Sequence, residues 1–163
     1  MKRTVAVSAV VLVLALPACR ASDDREAAPC AARTLAASVS DVAPGAAGGA
    51  GRESVVVELE NTGSTTCAIQ GFVDVLFVDA SGGALPTQSR PATAGEPRAV
   101  EIGGGQAARF TLRWLGAGPE CAEVREVAGA QVRLPQARGT VALDLSSLSV
   151  KACGGDVEVS ALQ

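Results

Sequence analysis

Apolar and polar positions alternate with period two along most of the chain, as in strands that bury one face and wet the other. Val55, Val57 and Leu59 face one way while Glu58 and Glu60 face the other. Leu35, Ala37 and Val39 keep the same spacing among small residues. The pattern is clearest where Ala108, Phe110, Leu112 and Trp114 interleave with Arg109, Thr111 and Arg113. Val141, Leu143 and Leu145 repeat it, Val132 and Leu134 run into Pro135, and Val157 and Val159 come late in the chain. Residues 73–78 are apolar apart from Asp74, which predicts a central strand covered on both faces. Turn-forming residues separate these runs: a Gly/Ala stretch at 44–51, Asn61-Thr62-Gly63-Ser64, and 79–83. Residues 85–97 carry Pro86, Pro91 and Pro97 and predict a long irregular loop or a broken edge strand. The single helical candidate is 120–127, one or two turns. Eight or nine short strands with turns between them predict an all-β fold, two antiparallel sheets packed about 10 Å apart. Trp114 is expected in the core.

The N-terminus breaks this pattern. Lys2 and Arg3 precede an uncharged run from Thr4 to Leu16, 13 residues rich in Val, Leu and Ala. A bilayer core of roughly 30 Å needs about 20 residues, so the run suits a signal-peptide core and not a span. Leu16-Pro17-Ala18-Cys19 follows. Leu three places before a Cys, with a small residue between, resembles the lipobox of bacterial lipoproteins. That resemblance implies cleavage before Cys19 and lipid on its sulfur. Two acyl chains on Cys19 would hold the protein stably where one would not. The expected organisation is a signal over 1–18, a flexible membrane tether over 19–29 with no large apolar residue, and one domain over 30–163. The expected location is the outer face of the cytoplasmic membrane.

Composition then removes whole classes of chemistry. Cleavage takes Lys2 and Arg3, leaving 12 basic against 17 acidic side chains, net −5. An acidic chain is ill suited to nucleic acid and to direct adhesion on anionic lipid heads. There is no His and no Tyr, and the sole Met is Met1. Ser-His-Asp and Cys-His machinery and an ordinary zinc site are therefore unavailable to this chain, and no cofactor or metal is expected. With one Trp and three Phe, a platform of exposed rings is not expected either.

Once Cys19 is assigned to lipid, Cys30, Cys67, Cys121 and Cys153 remain, an even number in an exported chain. Three pairings are possible. Cys30–Cys67 with Cys121–Cys153 is favoured, because each pair is near in sequence and ties one end of the domain to itself. No Cys-x-x-Cys spacing occurs, so structural bridges are expected and not a redox or metal site.

Cys30 with Leu35 five places on, Asn61-Thr62-Gly63 before Cys67, then Gly71-Phe72 and a hydrophobic strand, form a recognisable series. Asp79 with Gly82, Ile102 and the Gly-rich turn to Ala108, Trp114, Cys121, Val132 with Pro135, and Cys153 continue it. The series resembles a domain family of unknown function abundant in exported proteins and lipoproteins of actinobacteria. Val73 and Gly104 stand where that family usually has Pro. The resemblance implies an immunoglobulin-like sandwich with two disulfides, and it transfers no catalytic residue.

Four constellations remain as candidate chemistry. Glu120, Glu123 and Glu126 beside Arg125 could supply the carboxylate pair of a glycoside hydrolase, but no aromatic platform accompanies them and a solvated charged loop is the favoured reading. Asp74 and Asp79 lack the spacing of a calcium loop. Ser149 and Lys151, two apart on a strand, would share a face as a Ser-Lys pair needs, but no Ser-x-x-Lys motif and no base partner accompanies them, so the pair is disfavoured. Gly103-Gly104-Gly105 precedes a strand and not a helix, so it reads as a turn. The leading expectation is a non-enzymatic binding or interaction module held at the membrane through Cys19. Its partner would be an envelope protein or polymer, and 85–97 its recognition surface. A carboxylate-dependent hydrolase of envelope polymers and a passive assembly subunit are the alternatives.

Overall fold

In the computed structural model, residues 26–43, 51–93 and 97–163 are described. Cys19, the signal and most of the expected tether lie outside them. The described residues form eleven strands and two single-turn 3-10 helices: β1 Leu35–Ala43, β2 Arg52–Asn61, β3 Cys67–Ile69, β4 Asp74–Val78, β5 Gln88–Pro91, β6 Val100–Ile102, β7 Ala107–Gly116, β8 Val124–Val127, β9 Gly129–Arg133, β10 Thr140–Asp144 and β11 Val150–Val159. The larger sheet runs β1-β2-β7-β11-β5, with β8 also pairing β11. The smaller runs β10-β9-β4, and β3 pairs β6 as a separate ribbon. All pairings are antiparallel except that of β5 with β11.

The alternation read from the sequence decides what lies inside. Val55, Val57, Leu59, Ala108, Phe110, Leu112, Trp114, Val157 and Val159 from the larger sheet are all buried. They meet Val75, Phe77, Ala130, Val132, Val141 and Leu143 from the smaller one. Trp114 lies in the core as expected, edge-on to Phe77 with ring centroids 6.1 Å apart. Its indole N–H donates to Glu53 Oε2 at 3.0 Å, so the polar atom is satisfied at the rim.

Three expectations are corrected. There are eleven strands among the described residues, not eight or nine, because β3, β5, β6 and β8 are too short to show a period. Residues 73–78 do not form a central strand: β4 lies at the edge of the smaller sheet, and Leu76 and Val78 are only half-buried. The helical candidate 120–127 is a loop leading into β8, which is extended because the free start of β11 supplies its backbone partners. The 85–97 segment contains β5, the broken edge strand that was the second reading of its prolines.

The strands define two ends. Leu35 opposes Asn61, Glu60 opposes Ala107, and the Arg109 N–H donates to the Gln163 carbonyl, so Cys30 and Gln163 share one end with the 62–66 and 103–106 turns. This is the proximal end, where the chain enters the domain. Residues 79–83, 117–123, 128 and 145–149 connect strands at the other, distal end. At about 3.3 Å per residue, the ten-residue strands β2 and β7 separate the ends by roughly 30 Å.

Candidate functional site

The four cysteines pair as favoured. Cys30–Cys67 closes the proximal end and Cys121–Cys153 the distal end. Cys30 and Cys67 are 2% and 8% exposed, whereas Cys121 and Cys153 are both partly exposed. The proximal bond is embedded in paired backbone. The Cys30 N–H donates to the Ala68 carbonyl and the Ala68 N–H to the Ala28 carbonyl, so strand pairing reaches two residues into the expected tether.

Asn61 organises the proximal turns. It is 1% exposed, and every polar group of its side chain has a partner. Nδ2 donates to the carbonyls of Thr65 at 2.8 Å and Ile102 at 2.9 Å, and Oδ1 accepts from the Gly63 N–H at 3.0 Å. The glycine turn at 103–105 closes on the same hub, its Gly105 N–H donating to the Asn61 carbonyl. A Cβ on Gly104 would sit 2.7 Å from the Gly63 carbonyl oxygen, so in this chain glycine lets the two turns approach and a side chain there would push them apart. The Gly-rich stretch is thus a packing turn, as expected.

The distal end is built differently. A cleft of about 570 Å³ opens among three connections: Asp79 and Ser81 from the first, Glu126 and Lys151 where β8 meets β11, and Ser146 and Ser149 from the last. Val127, Ala128 and Val150 lie beneath. Asp79 shapes its own turn, with Oδ1 accepting from the Ser81 N–H at 2.8 Å, the Ser81 hydroxyl at 2.6 Å and the Gly83 N–H at 2.8 Å. Those bonds, the Ser81 hydroxyl foremost, hold the Asp79 carboxyl below its ordinary range. Ser146 does the same to Asp144, through its hydroxyl first and then its N–H. Ser149 adopts φ 51°, the sole non-glycine at positive φ among the described residues. Such a residue is held in place only by its surroundings.

A second cleft of about 460 Å³ lies beside the distal disulfide, lined by Leu115, Gly116, Pro119, Glu120, Cys121 and Cys153 among others. The exposed large hydrophobic residues are here: Leu115 at 44% and Val124 at 48%.

Several candidate groups are separated by the fold. Asp74 and Asp79 sit at opposite ends of β4, and Asp74 pairs with Arg133 at 3.5 Å, so they cannot share an ion. Among the described residues no cluster of three metal-ligating side chains forms. Glu123 is tied to Arg125 at 2.8 Å, and Glu126 projects toward Lys151 at 3.9 Å. Ser149 and Lys151 both line the larger cleft, but Ser149 precedes β11 in a left-handed turn and does not share a strand face with Lys151. Within 85–97, the described residues 88–91 do not form an end loop. β5 lies on a flank, paired in parallel with β11. There the Ala92 N–H donates to the Val159 carbonyl, so the preceding residue, Pro91, faces away from β11.

The sequence reading overlooked Leu115 and Val124. The signal for Leu115 was present, because the alternation through Arg109, Thr111 and Arg113 assigns it to the wet face. Val124 carried none, since it lies in a strand of four residues.

Residues 30–163 match the family described as a domain of unknown function, DUF4232. The chain belongs to that family. No curated protein and no solved structure matches it. The match starts at Cys30 and runs through both disulfides, so the two-ended architecture is that of the whole DUF4232 domain.

Proposed function

We propose that this chain is an envelope lipoprotein, anchored through lipid on Cys19, whose DUF4232 domain is a non-catalytic binding module with its recognition surface at the distal end. The observation that carries this reading is the opposition of the two ends. The chain enters the domain at Cys30, beside a cleft of about 370 Å³, while two larger concave surfaces, at Asp79–Lys151 and Leu115–Cys153, lie about 30 Å away. A domain tethered at one end presents the other to whatever lies beyond the membrane. Sandwich folds commonly carry recognition on the loops of one end. Two disulfides accord with an oxidising, exported setting.

The acidic trio gives less support to a hydrolase. Glu123 is engaged by Arg125, Glu126 projects toward Lys151, and all three carboxylates are exposed to water. The test is site-specific photo-crosslinking in living cells, with the cross-linking residue placed at Ser81 or Glu120 and, separately, at Thr66 or Arg138. Adducts to envelope material from the distal pair alone support the reading. Adducts from the proximal pair alone overturn it. Intact-mass analysis of the membrane fraction tests the anchor, and an unmodified Cys19 thiol there would rule it out.

A further inference from the structure

The distal disulfide lies within an apolar row on the outer face of the larger sheet. Cys153 opposes Val124, and paired residues of neighbouring strands share a face. The β7–β11 register shifts between Ala152 and Val157, and at that irregularity Leu115 and Cys153 line the same cleft, so Leu115, Cys153 and Val124 form one strip. Elsewhere that face is charged. Glu58 pairs with Arg109, and Glu158 takes both Arg52 at 3.1 Å and Arg90 at 3.4 Å. An apolar strip on a charged face, beside a cleft of about 460 Å³, is the form of a docking site for one inserted side chain.

Charge identifies the occupant. The domain over 30–163 holds 14 acidic and 10 basic side chains, net −4. The distal stretches 79–83, 117–129 and 144–151 hold five of the acidic and two of the basic, net −3. Most of the excess charge is therefore concentrated at the tip. Nearest the strip, Glu120 lines the cleft and Glu126 shares the outward face of β8 with Val124. Of the cations beside it, Arg52 is engaged by Glu158, Arg125 by Glu123 and Lys151 by Glu126, while Arg113, on the same face as Leu115, opposes Glu158 across the strand pair.

We propose that the Leu115–Cys153–Val124 strip docks a basic segment of another envelope protein, which inserts one aliphatic or aromatic side chain beside the Cys121–Cys153 bond and sets Lys or Arg against Glu120 and Glu126. This rests on the distal end being the recognition end and adds the chemistry of its partner. Docking combines burial of apolar surface with steering by opposite charge, and the second component weakens with salt.

The test uses the full chain and a fluorescein-labelled peptide bearing one Leu with Lys on both sides, followed by fluorescence anisotropy at low and high salt. The expected result is saturable binding, about tenfold weaker with Leu115→Ser and with Val124→Ser, and a reduced salt dependence with Glu120→Gln. Both apolar positions are exposed, and an unchanged unfolding midpoint would show that the variants fold. A peptide with Ser in place of Leu should bind no better than the variants do. Equal binding by that peptide would reduce the site to bare charge and overturn the proposal. So would preference for a peptide with Glu in place of Lys, absence of saturable binding, or concentration-dependent self-association abolished by Leu115→Ser, which would make a second copy the occupant. Distal cross-links that persist while the peptide fails would leave the binding-module reading standing and remove only this partner chemistry.

Discussion

The two ends of the sandwich are each closed by a disulfide, yet they use it to opposite effect. At the proximal end Cys30–Cys67 is buried, its neighbours are backbone-paired, and a sealed asparagine ties together two turns that glycine allows to touch. At the distal end Cys121–Cys153 is partly exposed, a serine sits in a left-handed turn, and two clefts flank the start of β11. The proximal end is knitted by backbone pairing around a smaller cleft of about 370 Å³ beside Pro29 and Gln70. The other keeps apolar surface, charge and backbone strain that folding alone does not require. The same covalent bond is a core element in one place and a loop clamp in the other, and its surroundings decide which.

This contrast is most directly broken by removing the bonds one at a time. Replacing Cys30 and Cys67 together by Ala should cost about 3–5 kcal/mol, since loop-closure entropy and a buried contact are both lost. The matching distal replacement should cost about 2–3 kcal/mol. Denaturant unfolding of the full chain measures both, and equal losses would abolish the contrast. Graded dithiothreitol with alkylation and mass mapping sharpens it: Cys121 and Cys153 should label before Cys30 and Cys67, because exchange needs access to sulfur.

Next in size is Asn61→Ala, which strands the carbonyls of Thr65 and Ile102 and the Gly63 N–H. A loss of about 2–4 kcal/mol is expected from the same unfolding experiment. Ser149→Gly works in the other direction. Releasing a residue from left-handed geometry should stabilise the fold by up to about 1 kcal/mol, and a loss would show that the serine side chain does more than tolerate its turn.

The smallest effect is that of pH. Asp79 has a folded pKa below the ordinary 3.8, so the stability it contributes is present above that value and is lost as pH falls through the lower folded one. Asp79→Asn should flatten this part of the acid limb of an unfolding-midpoint profile. An unchanged limb would mean that the Ser81 and Gly83 hydrogen bonds contribute nothing to the turn.

The sequence made the proximal end more legible than the distal one. Its turns are spelled in Asn, Gly and Thr. At the distal end the residue spacing misled. Cys121, Val124 and Val127 recur every third residue like a short helical stripe, yet β8 is extended because β11 overhangs β7 and needs a backbone partner. A partner on another strand leaves no trace in local spacing. Likewise 73–78 is apolar enough for a central strand, but its outer flank is covered by the Ala84 bridge and by Thr87, whose hydroxyl accepts the Phe77 N–H at 3.1 Å. Leu115 was readable from alternation alone, while its place beside Cys153 and Val124 depends on the irregularity in β7–β11 pairing and on the register of β8.

Pro91 matters most where chains are crowded. Molecules confined to a surface meet at effective concentrations far above those in solution, and an unfinished sheet edge would let them zip into ribbons. On β5, Pro91, one of the positions that turns toward a would-be neighbour, has no N–H to offer, and on the opposite sheet β4 is already capped by the chain leading into β5. Ribbon growth through that flank is therefore blunted, and edge pairing between copies would have to use β1 or β10, the other edges of the two sheets.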